Sequence, residues 1–145
     1  MSSRNQKHTS RVAPPNAPES SRELLLAAGT KIFAKMGYSG ATVKQIADEA
    51  GVNVSLVSYH FQGKEGLFRA VVEPFAHSRL ETAKRILQKP QSREEFRVRL
   101  QMFIEEILSC HKKQPEIIQI INREFELGIP SAQDIFETTF LEVFK

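Results

Sequence analysis

The sequence predicts an all-α protein. Apolar residues recur at helical three- and four-residue spacing along most of its 145 residues. Side-chain caps stand in front of these runs, and glycine or proline follows them. No stretch alternates apolar and polar residues with the period of a strand.

The elements follow in chain order. Residues 1–19, MSSRNQKHTSRVAPPNAPE, are polar, hold three prolines and have almost nothing to bury, which reads as a disordered basic tail. Ser20 and Glu23 form an S-x-x-E capping box, and Leu25, Ala28, Ile32, Phe33 and Met36 continue as a helix that Gly37 should cap. Thr42 and Gln45 form a second box, opening a short helix with Val43, Ile46, Ala47 and Ala50 on one face and Gly51 at its end. Asn53 is the expected N-cap of a third helix. Val52 and Val57 then take the two places of a hydrophobic staple, Phe61 faces inward and Gly63 is the stop.

Beyond that stop, residues 64–88 read as one long helix with Pro74 kinking it. Pro90 marks a break. Ser92 and Glu95 cap a helix bearing Phe96, Leu100, Phe103, Ile104, Ile107 and Leu108. Pro115 suits the first turn of another, with Ile117, Ile118, Ile120, Ile121 and Phe125. A last helix starts at Ser131 and carries Ile135, Phe136, Phe140, Val143 and Phe144.

Composition narrows the function classes. With 41% hydrophobic and 26% charged residues the sequence suits an ordinary globular protein. The single cysteine, Cys110, excludes an internal disulfide and fits a reducing cytoplasm. No apolar run reaches the ~18 residues of a membrane span, and the first twenty lack a signal-peptide core. Together these place the protein in the cytoplasm with no membrane partner. His8, His60, His77 and His111 are scattered, and no HExxH, CxxC or phosphate-cradling glycine loop occurs. The reading is therefore not an enzyme, with no cofactor and no metal.

Charge is asymmetric. The net +3 is concentrated in the first seventy residues, and the remaining seventy-five are slightly acidic. A front with that balance suits a polyanion. Within it, Gly51 to Phe61 reads GVNVSLVSYHF, and no acid occurs between Glu49 and Glu65. Two short helices joined at a glycine have the geometry of a helix-turn-helix, whose second helix enters the DNA major groove. Val54, Ser55, Leu56, Ser58, Tyr59 and His60 are its expected outward residues.

The run FAKMGYSGATVKQIADEAGVNVSLVSYHFQGKEGLFRAVV resembles the N-terminal domain of the TetR family of bacterial transcriptional regulators. The likeness lies in F-x-x-x-G-Y at Phe33 to Tyr38, T-V-x-x-I-A-x-x-A-G-V at Thr42 to Val52, the aromatic-His-Phe end at Tyr59 to Phe61, and G-K-E at Gly63 to Glu65. The end SYHF is similar to a CecR-like subgroup that often reads NYHF. The resemblance implies that Val54, Ser55 and Leu56 approach base edges and that Tyr59 and His60 bond phosphates. It also implies that Thr42 and Lys44 make further backbone or base contacts and that Lys64 grips a phosphate. Apolar Val54 and Leu56 suggest contact with thymine methyls rather than bidentate hydrogen bonds.

The same resemblance implies three regions: the tail 1–19, a helix-turn-helix DNA-binding domain at 20–66, and a helical effector-binding and dimerisation domain at 67–145. Family members run longer, so that domain is expected to be incomplete, truncated at its C-terminal end. The implied partners are an operator in double-stranded DNA, an apolar or amphipathic small-molecule effector, and a second copy in the full-length family. Phe103, Ile107, Cys110, Ile118, Asn122 and Phe125 are the candidate effector-pocket residues, with Phe96, Ile121, Phe136 and Phe140 as further apolar candidates. The function so implied is a ligand-responsive repressor that binds a palindromic operator as a dimer. The alternative is a TetR-like protein-interaction module, or a fragment without independent specific DNA binding.

Overall fold

A computed structural model describes residues 19–127, with side chains from residue 21. Residues 1–18 of the expected tail, the side chains of Glu19 and Ser20 and the helix expected from Ser131 lie outside them, whereas the backbone of Glu19, expected in the tail, already belongs to a helix. Among the described residues there are helices and no strand. They are α1 (Glu19–Gly40), α2 (Val43–Ala50), α3 (Ser55–Phe61), α4 (Lys64–Ile86), α5 (Arg93–Lys113) and α6 (Pro115–Glu126).

α1 buries Leu25, Ala28, Phe33 and Ala34, the stripe its periodicity demands. Met36, expected on that stripe, is instead largely exposed. Gly37 interrupts the helix with φ 73° and ψ 172°, a conformation open to glycine and strained for other residues. It is covered by Arg123 of α6, whose guanidinium donates to the Lys35 carbonyl at 3.1 Å. The end of α1 thus receives a cation from a helix far along the sequence, where the helix dipole favours one.

The capping box of α2 forms as expected: Thr42 accepts from the Gln45 amide, and the Gln45 side chain accepts from the Thr42 amide. Gly51, at φ 68°, closes the helix. The Gly51 amide donates to Asp48 and the Val52 amide to Ala47, the paired bonds of a Schellman turn.

α3 begins two residues after Asn53. The Asn53 Oδ1 accepts from the Ser55 amide at 2.9 Å, so asparagine caps the turn although regular helix starts later. The exit is tight: Gln62 is left-handed at φ 61°, and Gly63 sits at φ 125°, ψ −170°, a region almost restricted to glycine. α4 then starts against the end of α3. A Cβ on Gly66 would lie 1.8 Å from the Phe61 carbonyl oxygen. Gly66 is therefore the close-approach glycine of this corner.

α4 runs through Pro74, which is exposed and leaves the carbonyl one turn earlier without its helical donor. Leu67, Phe68, Val71 and Val72 are buried against α1 and α3. At the next corner Ser92 accepts from the Glu95 amide. The Glu95 carboxylate in turn accepts from the Gln91 amide and from Arg99, and these bonds hold its pKa below the ordinary 4.5. Arg99 also donates to the Ile86 carbonyl at 3.0 Å, tying the start of α5 to the end of α4.

α5 departs from expectation. Phe96, Leu100, Ile104, Ile107 and Leu108 are exposed, and Cys110 is its buried residue. Among the described helices it packs mainly on α4 and α6, and much of its apolar surface meets no described helix. α6 buries Ile120 and Glu124, while Phe125 points out. Ile120 joins the same core as Phe33, Val57 and Phe68, so α6 packs with α1 to α4.

Gly66→Ala is expected to lower stability by about 2–3 kcal/mol in urea unfolding, because backbone must move to admit the methyl. Gly40→Ala, whose new Cβ meets only the Met36 Cβ at 3.5 Å, should stay within about 0.5 kcal/mol of the parent.

Candidate nucleic-acid interface

α3 sorts its residues by angle. At about 100° per residue, Leu56, His60, Val57 and Phe61 fall within one arc of about 140°, and Ser55, Ser58 and Tyr59 lie on the opposite side. The burial agrees: Leu56, Val57 and Phe61 are in the core, and Ser55, Ser58 and Tyr59 are exposed. Val54, one residue before the helix, is also exposed.

Leu56 is thus a correction. The expectation that it faces outward fails because it belongs to the inward arc, where it is 4% exposed and packs in the core. His60 shares that arc. Its Nε2 lies 2.8 Å from the Oγ of Ser21, a buried serine in the first turn of α1. The Tyr59 ring stands edge-on to the imidazole at 4.9 Å and is itself 44% exposed. His60 therefore joins α3 to α1, and Tyr59 rides on it at the rim. Ser21 was not a candidate from sequence, since serine at the head of a helix reads as a cap.

Lys64 stands at the start of α4, the end where the dipole disfavours a cation. Its Nζ reaches back to the end of α1, donating to the carbonyls of Tyr38 (2.9 Å) and Ala41 (3.1 Å) and lying 4.4 Å from the Tyr38 ring centroid. Two of the three ammonium donors are used there, leaving one for another acceptor. Tyr38 stays a phenol: burial first, then the charges of Glu65 and Glu124, raise its pKa above 10.0.

Thr42 and Lys44 are exposed at the start of α2. The Thr42 hydroxyl is engaged with Gln45, accepting from its amide and donating to its side-chain oxygen. Lys44 has an open position. Thr42, Lys44, Val54, Ser55, Ser58 and Tyr59 thus share exposure, and α3 contains no acid.

The effector candidates divide. Phe103, Ile107, Cys110 and Ile118 line one apolar cleft between α4, α5 and α6. Asn122 lies with Ile118 in a second, more polar cleft beside Arg123 and Glu126. Phe125 is exposed and lines neither of these two clefts. Glu124 is the residue that sequence reasoning missed. Its carboxyl is buried and Oε2 has no hydrogen-bond partner. Ile117, Ile120 and Glu124 recur at helical spacing, which was the available signal. Among the described residues no three metal-ligating side chains gather, and no helix is long and apolar enough to cross a membrane.

Residues 25–71 match the family model for bacterial regulatory proteins of the tetR family. That stretch is similar to a TetR-family N-terminal domain. The chain is 28% identical over 126 residues to the probable HTH-type transcriptional regulator YttP of Bacillus subtilis, covering 85% of this chain and 59% of the relative. It is 29% identical over 100 residues to the HTH-type transcriptional repressor AcnR of Corynebacterium glutamicum, covering 63% and 53%. The chain thus spans little more than half the length of these relatives. A crystal structure of a HlyIIR mutant, in which a segment is substituted by a linker, superposes with a TM-score of 0.62 at 26% identity, covering 87% of this chain and 66% of that one.

The angular assignment separates neighbouring residues experimentally. Leu56→Ala should cost about 2–4 kcal/mol in chemical denaturation as a core truncation, whereas Ser55→Ala should stay within about 0.5 kcal/mol.

Proposed function

We propose that the protein is a sequence-specific DNA-binding transcriptional regulator, acting as a ligand-responsive repressor on a palindromic operator and reading one half-site per copy. The observation that carries this is the exposed, acid-free side of α3, held by a Schellman turn within a TetR-family domain. Relatives named as transcriptional regulators and repressors support it. The SYHF end supports a CecR-like subgroup.

In this reading α3 enters the major groove. Val54, Ser55 and Ser58 face base edges, with Val54 suited to a thymine methyl. Tyr59 and Lys44 meet phosphates, and Lys64 offers its remaining donor to another. Thr42 sits at the same rim. His60 is a positioning residue: its bond to Ser21 sets the tilt of α3 and the place of Tyr59. Residues 20–66 are the reading part and 67–145 the effector-binding and dimerising part, with the cleft between α4, α5 and α6 receiving a small molecule.

The second reading, a protein-interaction module, draws on the exposed apolar residues of α5, Phe96, Leu100, Ile104 and Leu108. Titration of a promoter fragment from the native locus at two salt concentrations separates the two. A specific complex that weakens steeply with salt supports the regulator. No complex, with association persisting through α5, supports the module and overturns the regulator.

Lys44→Ala should flatten the dependence of log affinity on log salt by about one unit, and Tyr59→Phe should weaken binding to all sequences. Ser21→Ala should weaken specific binding about three- to tenfold with the salt slope unchanged, since it removes one hydrogen bond and no phosphate contact. An altered slope in Ser21→Ala would remove the positioning role of His60.

A further inference from the structure

The cleft between α4, α5 and α6 has a volume of about 120 Å³. Its walls are largely apolar, built from Phe75 and Ala83 of α4, Phe103, Ile107 and Cys110 of α5, and Ile118 of α6, with Thr82 and His111 as uncharged polar members. Two charged residues, Arg79 and Glu106, also line it, and they close on each other: Arg79 Nη1 donates to Glu106 Oε1 at 2.5 Å. Arg79 Nη2 donates to the Ser78 hydroxyl at 3.2 Å, and the guanidinium carbon sits 5.6 Å from the centre of the Phe75 ring. The Arg79 Nε is left over. It is buried and has no acceptor.

We infer that this cleft takes a compact, uncharged, largely apolar molecule carrying one hydrogen-bond acceptor, a ketone, lactone or ester of about one six-membered ring, whose acceptor pairs with Arg79 Nε. This names the effector class for the site in the regulator reading and rests on that reading. Size sets the first limit: the cleft is somewhat smaller than the apolar cavity of about 150 Å³ that accepts benzene and far below the roughly 300 Å³ that drug-sized ligands need, so one six-membered ring is its upper bound. Charge sets the second. The Arg79 cation is already neutralised, so an anion meets Glu106 without a free counter-charge. A cation meets Arg79 in the same position, and either would lose its hydration to apolar walls. The unmatched N–H sets the third: a buried donor without an acceptor is an exception that a ligand oxygen resolves. Seating the ligand needs a small shift of the side chains that cover Nε.

The test is titration of the 145-residue chain with three probes of one ring size, cyclohexanone, cyclohexanecarboxylate and cyclohexylammonium, followed by NMR shifts of cleft methyls. Cyclohexanone should bind at least about tenfold more tightly than either ion, a ratio of one hydrogen bond and one avoided desolvation. Arg79→Lys keeps a cation for Glu106 but deletes Nε, and should weaken cyclohexanone about fivefold or more. Ala83→Leu narrows the cleft on a half-buried helix face and should abolish binding while the melting temperature holds. Equal or tighter binding of the carboxylate, no saturable binding of the ketone, or ketone binding indifferent to Ala83→Leu would each overturn the inference. The promoter titration on the same preparation keeps the readings apart: a DNA complex without ketone binding defeats the ligand class alone, and loss of the DNA complex defeats the regulator.

Discussion

Phe33 and Phe68 meet edge to face with ring centroids 5.1 Å apart, and solvent reaches neither side chain. Tyr38 closes the group at 5.0 Å from Phe68. This aromatic contact seats α4 on α1, and α2, α3 and α6 pack on that pair. α2 and α3 lean on it through Ile46, Ala47, Leu56 and Val57, and α6 through Ile120. Large rings fix the spacing of two helices more firmly than aliphatic groups, because their geometry adds about 0.5–1.5 kcal/mol to the area they bury.

α3 is too short to be stable by itself, since an isolated helix needs roughly 12–15 residues even in a favourable sequence. Its orientation is therefore a property of what it touches. Leu56, Val57 and Phe61 anchor it by burial, and His60 adds a directional bond to Ser21. Burial resists lifting of the helix but only weakly resists rotation about its axis. A hydrogen bond resists rotation, and so helps to fix the angles at which Ser55 and Tyr59 are exposed.

Much of the front half was legible in the sequence because its signals are local. The Thr42–Gln45 box, the Gly51 turn and the Asn53 cap each depend on residues within a few positions. The motifs from Phe33 to Glu65 added the TetR likeness, which residues 25–71 bear out. Inward and outward were harder. Leu56 looked like a surface residue in a row of outward neighbours, yet helical angle puts it with Val57. Lys64 looked free for an anion, yet its ammonium folds back on the carbonyls of Tyr38 and Ala41. That contact joins residues more than twenty positions apart, beyond any local pattern. The back half was legible as helices but not as surfaces. α5 has the apolar residues of a buried helix and leaves most of them exposed, while α6 turns Glu124 inward and Phe125 outward.

The bond from Arg123 to the Lys35 carbonyl joins residues 88 positions apart. Closing so long a loop is entropically unfavourable, but the cost grows slowly with length, about 0.6 kcal/mol for each doubling. Once closed, with Ile120 in the common core, α6 and α1 cannot open independently. The first and last described helices then belong to one cooperative unit. Whatever firms α6 also slows the fraying of α1, including the turn that carries Ser21. α3, whose His60 bonds Ser21, inherits that protection through this contact.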